Sequence, residues 1–394
     1  MQPHPYRHLP PRQFWRGAVA GALTSGSGMG EFDPVSQVPF QIAPDDAVAA
    51  AGSCFAQHIA RNLVSAGYHF LQTEEAGPES PFSARFGNIY TARQLIQLMR
   101  RAYGLLRPLD QAWRKPDGRW IDPFRPQLLG EGLATAEAVV AAREAHFAAV
   151  RAMFEQCSVF IFTLGLTEAW LAEDGAALPL PPGALGVAQG ASAARFHNFS
   201  FDELHLDLEL FLADLCLVNP QVRIILTVSP VALAATFEDR HVLVSNTISK
   251  ARLRLAAEVM RERHARVCYF PSYEIVTSPV NAADAFEPDM RSVSEAGVAR
   301  VMALFNRHML SATAELSSLS ATAERSSLSA TAERSSLSAT AERSSLSATA
   351  GPPEPSTHPE GQPVITDAMR ADYEARAKIL CDEELLAAEG GSAP

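Results

Sequence analysis

Residues 51–58 read AGSCFAQH and place two nucleophilic side chains, Ser53 and Cys54, side by side after a short apolar run. The preceding DAVAAA is typical of a buried strand, and FAQHIARNLVSAGYHF indicates a helix. Gly52-Ser53-Cys54 would then form the turn between them. Such turns often hold nucleophiles, because N–H groups at a helix N-terminus stabilise anions. Glycine, serine and cysteine also serve there for packing and capping alone, so both roles are open.

Three further apolar runs are predicted to be buried strands, and helical patterns separate them. The strands are expected at Ser158–Leu164, Arg223–Val228 and Arg266–Phe270, and the helices at Ala134–Cys157, Phe201–Leu217 and Ser245–His264. Ser200 and Glu203 have capping-box spacing at the start of the second of these helices. Strands that alternate with helices indicate an α/β fold, with a mainly parallel sheet covered on both faces.

In such sheets ligands bind beyond the carboxyl ends of the strands. The loops predicted to converge there are Gly52–Cys54, Gly165–Glu168, the stretch from Ser229 to His241, and the one that reaches Asp289–Ser292. Gly87-Asn88 precedes another predicted helix. These loops are therefore where functional side chains are sought.

Composition excludes several classes of function. The 394-residue chain carries a net charge of −11, which argues against a general affinity for nucleic acid. Its five cysteines are widely spaced and lack CxxC pairs, so neither a disulfide framework nor a zinc site is indicated. Nucleotide-binding glycine motifs and HExxH are absent from the sequence. We therefore expect no cofactor and no metal.

The N-terminal MQPHPYRHLPPRQFW lacks the apolar core of a signal peptide, and no segment approaches the length needed to span a bilayer. Together with reduced thiols, this predicts a cytoplasmic protein that is not inserted in a membrane.

Four regions are predicted along the chain: an irregular lead-in (1–31), a compact domain (32–309), a linker (310–363) and an amphipathic C-terminal helix (364–390). The linker consists of near-identical nine-residue units, LSATAERSS, followed by a proline-rich stretch. One leucine per unit is too little to bury a core, so a disordered linker is expected. The C-terminal helix is a candidate contact for a protein partner.

Five stretches resemble the GSCFA family and occur in the family's order: AGSCFAQ, FGNIYTARQL, TLGLTEAW, SPV…RHVLV…SK and YFPSYEIV. The resemblance covers roughly Phe32 to His308. GSCFA domains are similar to SGNH (GDSL-like) hydrolases, which are three-layer α/β/α esterases and acyltransferases. The resemblance therefore implies an SGNH-like fold and ester chemistry on a small molecule or glycan.

The resemblance also implies roles for particular residues. An ungapped match to the Gly-Asp-Ser-Leu turn puts Cys54 at the nucleophile position, whereas a shift by one residue puts Ser53 there. The family's oxyanion donors correspond to Gly165 and Asn88. Gly87, next to Asn88, and Gly52 complete the set of oxyanion and substrate-binding positions that the resemblance implies. A backbone N–H and a side-chain amide aimed at one point would stabilise a tetrahedral oxyanion.

The sequence has no histidine at the position of the SGNH catalytic base. The SGNH Asp-x-x-His reads Asp289-Met290-Arg291-Ser292 here, so the expected histidine is absent. His241 is the substitute candidate, and Asp289 would orient it. Two hypotheses follow: an ester hydrolase or O-acyltransferase with a covalent acyl intermediate, or an SGNH-like binding module whose triad has decayed.

Overall fold

A computed structural model describes residues 4–20, 22, 32–35, 38–74, 82–126, 132–187 and 190–311. Its strands are β1 (Val48–Gly52), β2 (Trp113–Arg114), β3 (Trp120–Ile121), β4 (Val159–Leu164), β5 (Glu168–Leu171), β6 (Ala177–Leu178), β7 (Arg195–Asn198), β8 (Arg223–Val228) and β9 (Val267–Phe270). Its α-helices are α1 (Ala56–Ser65), α2 (Ala92–Ala102), α3 (Ala136–Gln156), α4 (Phe201–Val218), α5 (Val242–Arg263), α6 (Ser272–Thr277) and α7 (Glu295–Met309).

The central sheet is parallel and has the strand order β1-β4-β8-β9. Its four strands are the four that the apolar runs predict. Gly52 pairs with Thr163, and Thr163 pairs in turn with Thr227, so the carboxyl ends of these strands lie level at one edge. The sheet therefore delivers the predicted loops to a common place.

Helices cover both faces of this sheet. Phe160, Phe162 and Leu226 pack on the side of α2, α3, α4 and α5. Ile161 and Ile225, which alternate with them along the strands, pack on the side of α1, α6 and α7. Burial of each such side chain contributes about 1.5–3 kcal/mol. The predicted three-layer α/β/α sandwich with a mainly parallel sheet is confirmed.

Side-chain caps fix where the helices begin. Ser200 accepts a hydrogen bond from the Glu203 amide, and the Glu203 carboxylate accepts one from the Ser200 amide, which confirms the predicted capping box of α4. Thr91 and Gln94 form the same arrangement at α2. These reciprocal bonds satisfy N–H groups that would otherwise be unpaired.

Two small antiparallel sheets were not predicted. β2 and β3 form a hairpin, and β6, β5 and β7 form a three-stranded sheet. Each of these strands has only two to four residues, too few to show a period of two in the sequence. The three-stranded sheet follows β4 directly, so it lies near the carboxyl edge of the central sheet.

The predicted outer regions are only partly described. Within the lead-in, Pro11–Gln13 forms a 3₁₀ turn and Arg16–Ala20 a short π-helix. Leu310, the first residue of the predicted linker, is buried and bridges to Ile42, so the packed domain extends to this residue. The rest of the repeat linker, from 312, and the C-terminal helix lie outside the described residues. Within the described ranges, no helix has the length and apolarity needed to cross a membrane.

Gly52 ends β1 with a φ of +143°. Residues other than glycine rarely adopt this backbone conformation. A Cβ added there would lie 2.5 Å from the carbonyl oxygen and 2.7 Å from the amide nitrogen of Thr163. Both of these atoms belong to backbone, so neither can rotate away. Glycine is therefore required where the chain leaves the sheet.

We predict that Gly52→Ala lowers the free energy of unfolding by more than about 3 kcal/mol, because steric overlap adds to backbone strain. Gly67→Ala is the matched control: Gly67 also has a positive φ, +77°, but nothing lies within 4 Å of an added Cβ. Gly67→Ala should lower the free energy of unfolding by only about 1 kcal/mol. Urea unfolding measures both, and equal losses would contradict the steric explanation.

Candidate active site

The Gly52-Ser53-Cys54 turn joins β1 to α1 as the sequence predicts. The Ser53 amide donates a hydrogen bond to the Thr163 carbonyl at 3.2 Å, which keeps the turn against β4. The Ser53 and Cys54 carbonyls then accept from the amides of Ala56 and Gln57, the start of helical bonding. Both candidate nucleophiles are thus held by backbone hydrogen bonds at the carboxyl edge of the sheet.

A small pocket with about 230 Å³ of empty space lies beside this turn, and we call it the turn pocket. It is lined by Ser53 and Cys54, by Tyr90, by Gly165 and Leu166 after β4, by Ser229 and residues 231–233 after β8, and by Lys250 on α5. Loops after three parallel strands therefore meet at one cavity, which is the usual ligand position in an open α/β sheet.

The two candidate nucleophiles differ in their surroundings. Ser53 is 3% exposed, and within the described part of the chain its Oγ has no hydrogen-bond partner. Cys54 is also buried and forms no disulfide. A serine hydroxyl needs a base as a neighbour to become a nucleophile, whereas a thiol needs only to lose its proton.

Lys250 is the functional candidate that sequence reasoning missed. It is only 1% exposed, and its Nζ donates a hydrogen bond to the Gly165 carbonyl at 2.6 Å. Burial of an ammonium group is costly unless polar partners compensate for the lost water. A signal did exist: Lys250, Leu253, Ala257 and Met260 follow helical spacing and all lie on the buried face of α5. A charge in such an apolar row indicates a polar site beneath the helix.

Gly165 lines the turn pocket, as expected, but its amide is already engaged. Its N–H donates to the Tyr90 carbonyl at 3.0 Å, and the Leu166 amide donates to the same oxygen at 3.2 Å. A Cβ at Gly165 would lie 3.2 Å from the Ser53 Cβ, which shows how closely the two loops pack. In this arrangement Gly165 spaces the loops, and its N–H does not point to a bound oxyanion.

Asn88 and Gly87 lie in a neighbouring segment and do not line the turn pocket. Asn88 accepts a hydrogen bond from Gln57 Nε2 at 3.4 Å and lines a separate pocket, together with Arg125 and His146. Gly87 has a φ of +76°, which makes it a turn residue. The segment nevertheless lies against the turn, because the amide of Ile89, the residue after Asn88, donates a hydrogen bond to the Gly52 carbonyl at 2.8 Å.

His241 and Asp289 also stay away from the turn pocket. His241 is exposed, and its Nδ1 accepts a hydrogen bond from the Leu243 amide at 3.2 Å, so its role is to cap α5. The exposed Asp289 accepts from the Ser292 hydroxyl at 2.6 Å and from the amides of Arg291 and Ser292. Its loop reaches the pocket wall through Arg291, whose Nε donates to the Ala232 carbonyl at 3.1 Å.

His58 follows Cys54 by one helical turn and is half-buried against Phe55, their ring centroids 5.5 Å apart. Burial, and then the charge of Arg61, lowers the pKa of His58 to about 4. The imidazole is therefore neutral at pH 7 in the folded protein.

We predict that the folded protein loses stability as the pH falls from 6.5 to 4, because the unfolded chain takes up a proton at His58 first. The contribution of His58 is complete above pH 6.5, and the loss at pH 4 is on the order of 2 kcal/mol. Urea unfolding across this range should show a shallower decline for His58→Gln than for the native sequence. Parallel curves would contradict the prediction.

Cys157 and Cys268 provide an internal comparison for Cys54. Burial raises the pKa of Cys157 to about 12 and that of Cys268 to about 11, so both stay protonated and inert. Cys54 lines the turn pocket together with the buried Lys250. A cation close to a thiol favours the reactive thiolate form.

We predict that iodoacetamide alkylates Cys54 at least about tenfold faster than Cys157 or Cys268 at pH 7, as followed by peptide mass spectrometry. Lys250→Met should move the alkylation of Cys54 to higher pH. Lys115→Met, at a lysine of the β2–β3 hairpin, is the matched control and should change nothing. Equal rates in all three proteins would show that Lys250 does not act on the thiol.

Comparison with known proteins identifies a family. The sequence model of the GSCFA family matches residues 47–305. No curated protein matches the chain.

Two solved structures show looser likenesses. A carbohydrate esterase of family 3 from Talaromyces cellulolyticus has 11% identity and a TM-score of 0.32, over 68% of this chain and 95% of that one. The salicylyl-acyltransferase SsfX3 of a tetracycline biosynthetic pathway has 13% identity and a TM-score of 0.24, over 41% and 40%. Neither is close enough to bear on the chemistry of this chain. The family match spans the turn, the parallel sheet and α5 with Lys250, and the chain belongs to the GSCFA family.

Proposed function

We propose that this protein is an SGNH-like ester hydrolase or O-acyltransferase that forms a covalent acyl intermediate on Cys54. The observation that carries the proposal is that one pocket, at the carboxyl ends of the parallel strands, is lined by both Cys54 and Lys250. A nucleophile and an ionisable group in the same cavity are the minimum set for acyl transfer.

Cys54 is a better nucleophile than Ser53 in these surroundings. Activation of Ser53 would require a base that accepts the hydroxyl proton, and its Oγ has no hydrogen-bond partner within the described residues. A thiolate beside an ammonium group needs no such base. Ser53 then supports the turn, where its amide bonds to Thr163.

The reaction would take two balanced steps. The Cys54 thiolate attacks the ester carbonyl, the C–O bond to the alcohol breaks, and the alkoxide leaves with a proton from the Lys250 ammonium. The neutral Lys250 amine then takes a proton from water or from an acceptor hydroxyl, whose oxygen attacks the thioester carbonyl. Release of the acyl product restores the thiolate and the ammonium. Lys250 thus replaces the absent histidine as general acid and base.

A glycan or glycan-linked hydroxyl is the acceptor that the family resemblance favours. The turn pocket itself is too small to enclose a sugar chain, so such an acceptor would approach from its open side. Hydrolysis and transfer then differ only in whether water or this hydroxyl attacks the thioester.

A second candidate function is binding without turnover. One observation favours it: the amide of Gly165, one of the two oxyanion donors implied by the family, is already bonded to the Tyr90 carbonyl. The same cavity would then recognise a glycan or a protein partner. One measurement distinguishes the two functions: an acyl adduct forms on the enzyme but not on a binding module.

We predict that the protein hydrolyses p-nitrophenyl acetate and that intact-mass spectrometry detects an acetyl adduct on Cys54. Cys54→Ala should abolish both, and Lys250→Met should lower kcat/KM by about 100-fold because proton transfer is lost. Cys216→Ala, at a half-buried cysteine on α4, and Lys115→Met are the matched controls and should retain full activity.

Each contrary result has a specific meaning. Full activity in Cys54→Ala together with an inactive Ser53→Ala would assign the nucleophile to Ser53. Loss of activity in His241→Ala but not in Lys250→Met would assign the base to His241. Absence of both turnover and adduct in the native protein would favour the binding module.

A further inference from the structure

A larger groove, with about 880 Å³ of empty space, lies beside the turn pocket. The two cavities share Tyr90, Leu166 and Leu233 as lining residues, so they are adjacent at this point. We call this space the aromatic groove, after Trp170, Phe196 and Phe237 in its wall. A substrate bound through its carbonyl at Cys54 would extend along this groove.

The small antiparallel sheet builds the wall of the aromatic groove. Trp170 on β5 and Phe196 on β7 are cross-strand partners, and Phe237 from the loop after β8 packs on both. The Trp170 and Phe237 ring centroids are 5.0 Å apart, at an angle of 66°. Leu178 on β6 and Leu180 continue the apolar lining.

Phe237 is 67% exposed although it belongs to this cluster, and a side chain of this size normally gains free energy from burial. Its exposed ring therefore forms one edge of an apolar surface that a bound ligand would cover. Isolated exposed apolar residues need no explanation, but a contiguous concave patch beside a candidate nucleophile indicates a binding site.

Two polar side chains of the groove, Glu168 and Gln94, already accept hydrogen bonds within the protein. The Glu168 carboxylate accepts from the Thr236 hydroxyl at 2.7 Å and from the Phe237 amide at 3.2 Å. The Gln94 side-chain oxygen accepts from the amides of Tyr90 and Thr91. Sugar hydroxyls placed against the apolar wall would lose bound water, which is unfavourable unless new hydrogen-bond partners replace it. An alkyl chain has no such requirement.

We infer that the aromatic groove binds the unbranched alkyl chain of a medium-chain fatty acyl group whose carbonyl lies at Cys54. This rests on the proposed function, because it assigns the acyl half of the substrate of the same site. The glycan acceptor and the acyl donor then occupy different sides of the turn pocket.

The test is a series of p-nitrophenyl esters from acetate to decanoate. kcat/KM should rise by up to about fourfold for each added methylene until the groove is filled, since each methylene leaves water for an apolar surface. Ala234→Trp, at a half-buried groove residue, should abolish this rise. Phe237→Ala should flatten the rise, whereas Leu217→Ala, at an exposed apolar residue on α4, should not.

A second measurement separates the groove from the chemistry. Cys54→Ala protein cannot turn over, but it should bind decanoate in calorimetry, and the additional Ala234→Trp substitution should remove this binding. Decanoate binding without hydrolysis of any ester would overturn the proposed function and keep the groove assignment. Ester hydrolysis independent of chain length, with no decanoate binding, would overturn the groove assignment alone. Binding of maltose that Phe237→Ala removes would also overturn it, in favour of a sugar site.

Discussion

The close approach of Gly52 to the backbone of Thr163 determines how the chain leaves the central sheet. Only glycine leaves room for the Thr163 carbonyl and amide at this distance, and only glycine adopts the required φ without strain. The next residues are held against β4 by the Ser53 amide and continue directly into α1. Two nucleophilic side chains thereby acquire fixed positions on rigid elements, which is what precise chemistry requires.

A buried lysine lines the same pocket as this turn. In an imidazole-based site a histidine near the nucleophile transfers the proton, but here His241 is an exposed helix cap. Lys250 instead reaches the turn pocket from the buried face of α5 and bonds to the Gly165 carbonyl. An ammonium group suits a thiol better than a hydroxyl, because it stabilises a thiolate directly. The presence of cysteine next to serine and the presence of Lys250 are therefore consistent with each other.

The fold divides the two parts of the candidate site between two sheets. The parallel sheet supplies the turn, the loops after β4 and β8, and the buried apolar layers that hold them rigid. The short antiparallel sheet adds an aromatic wall beside them, through Trp170 and Phe196. Within the described residues, the strands of this small sheet form ladders with one another and not with the parallel sheet.

The sequence by itself determined the α/β class, the four parallel strands, the capping box at Ser200 and the strand-to-helix turn at Gly52–Cys54. These features depend on local periodicity and on residue types that act within a few positions of one another. Tertiary structure alone decided which groups meet: Lys250 lies almost 200 residues after Cys54, and the strands that carry Trp170 and Phe196 are too short to leave a pattern. Proximity across the sheet results from long-range packing, which spacing along the chain does not encode.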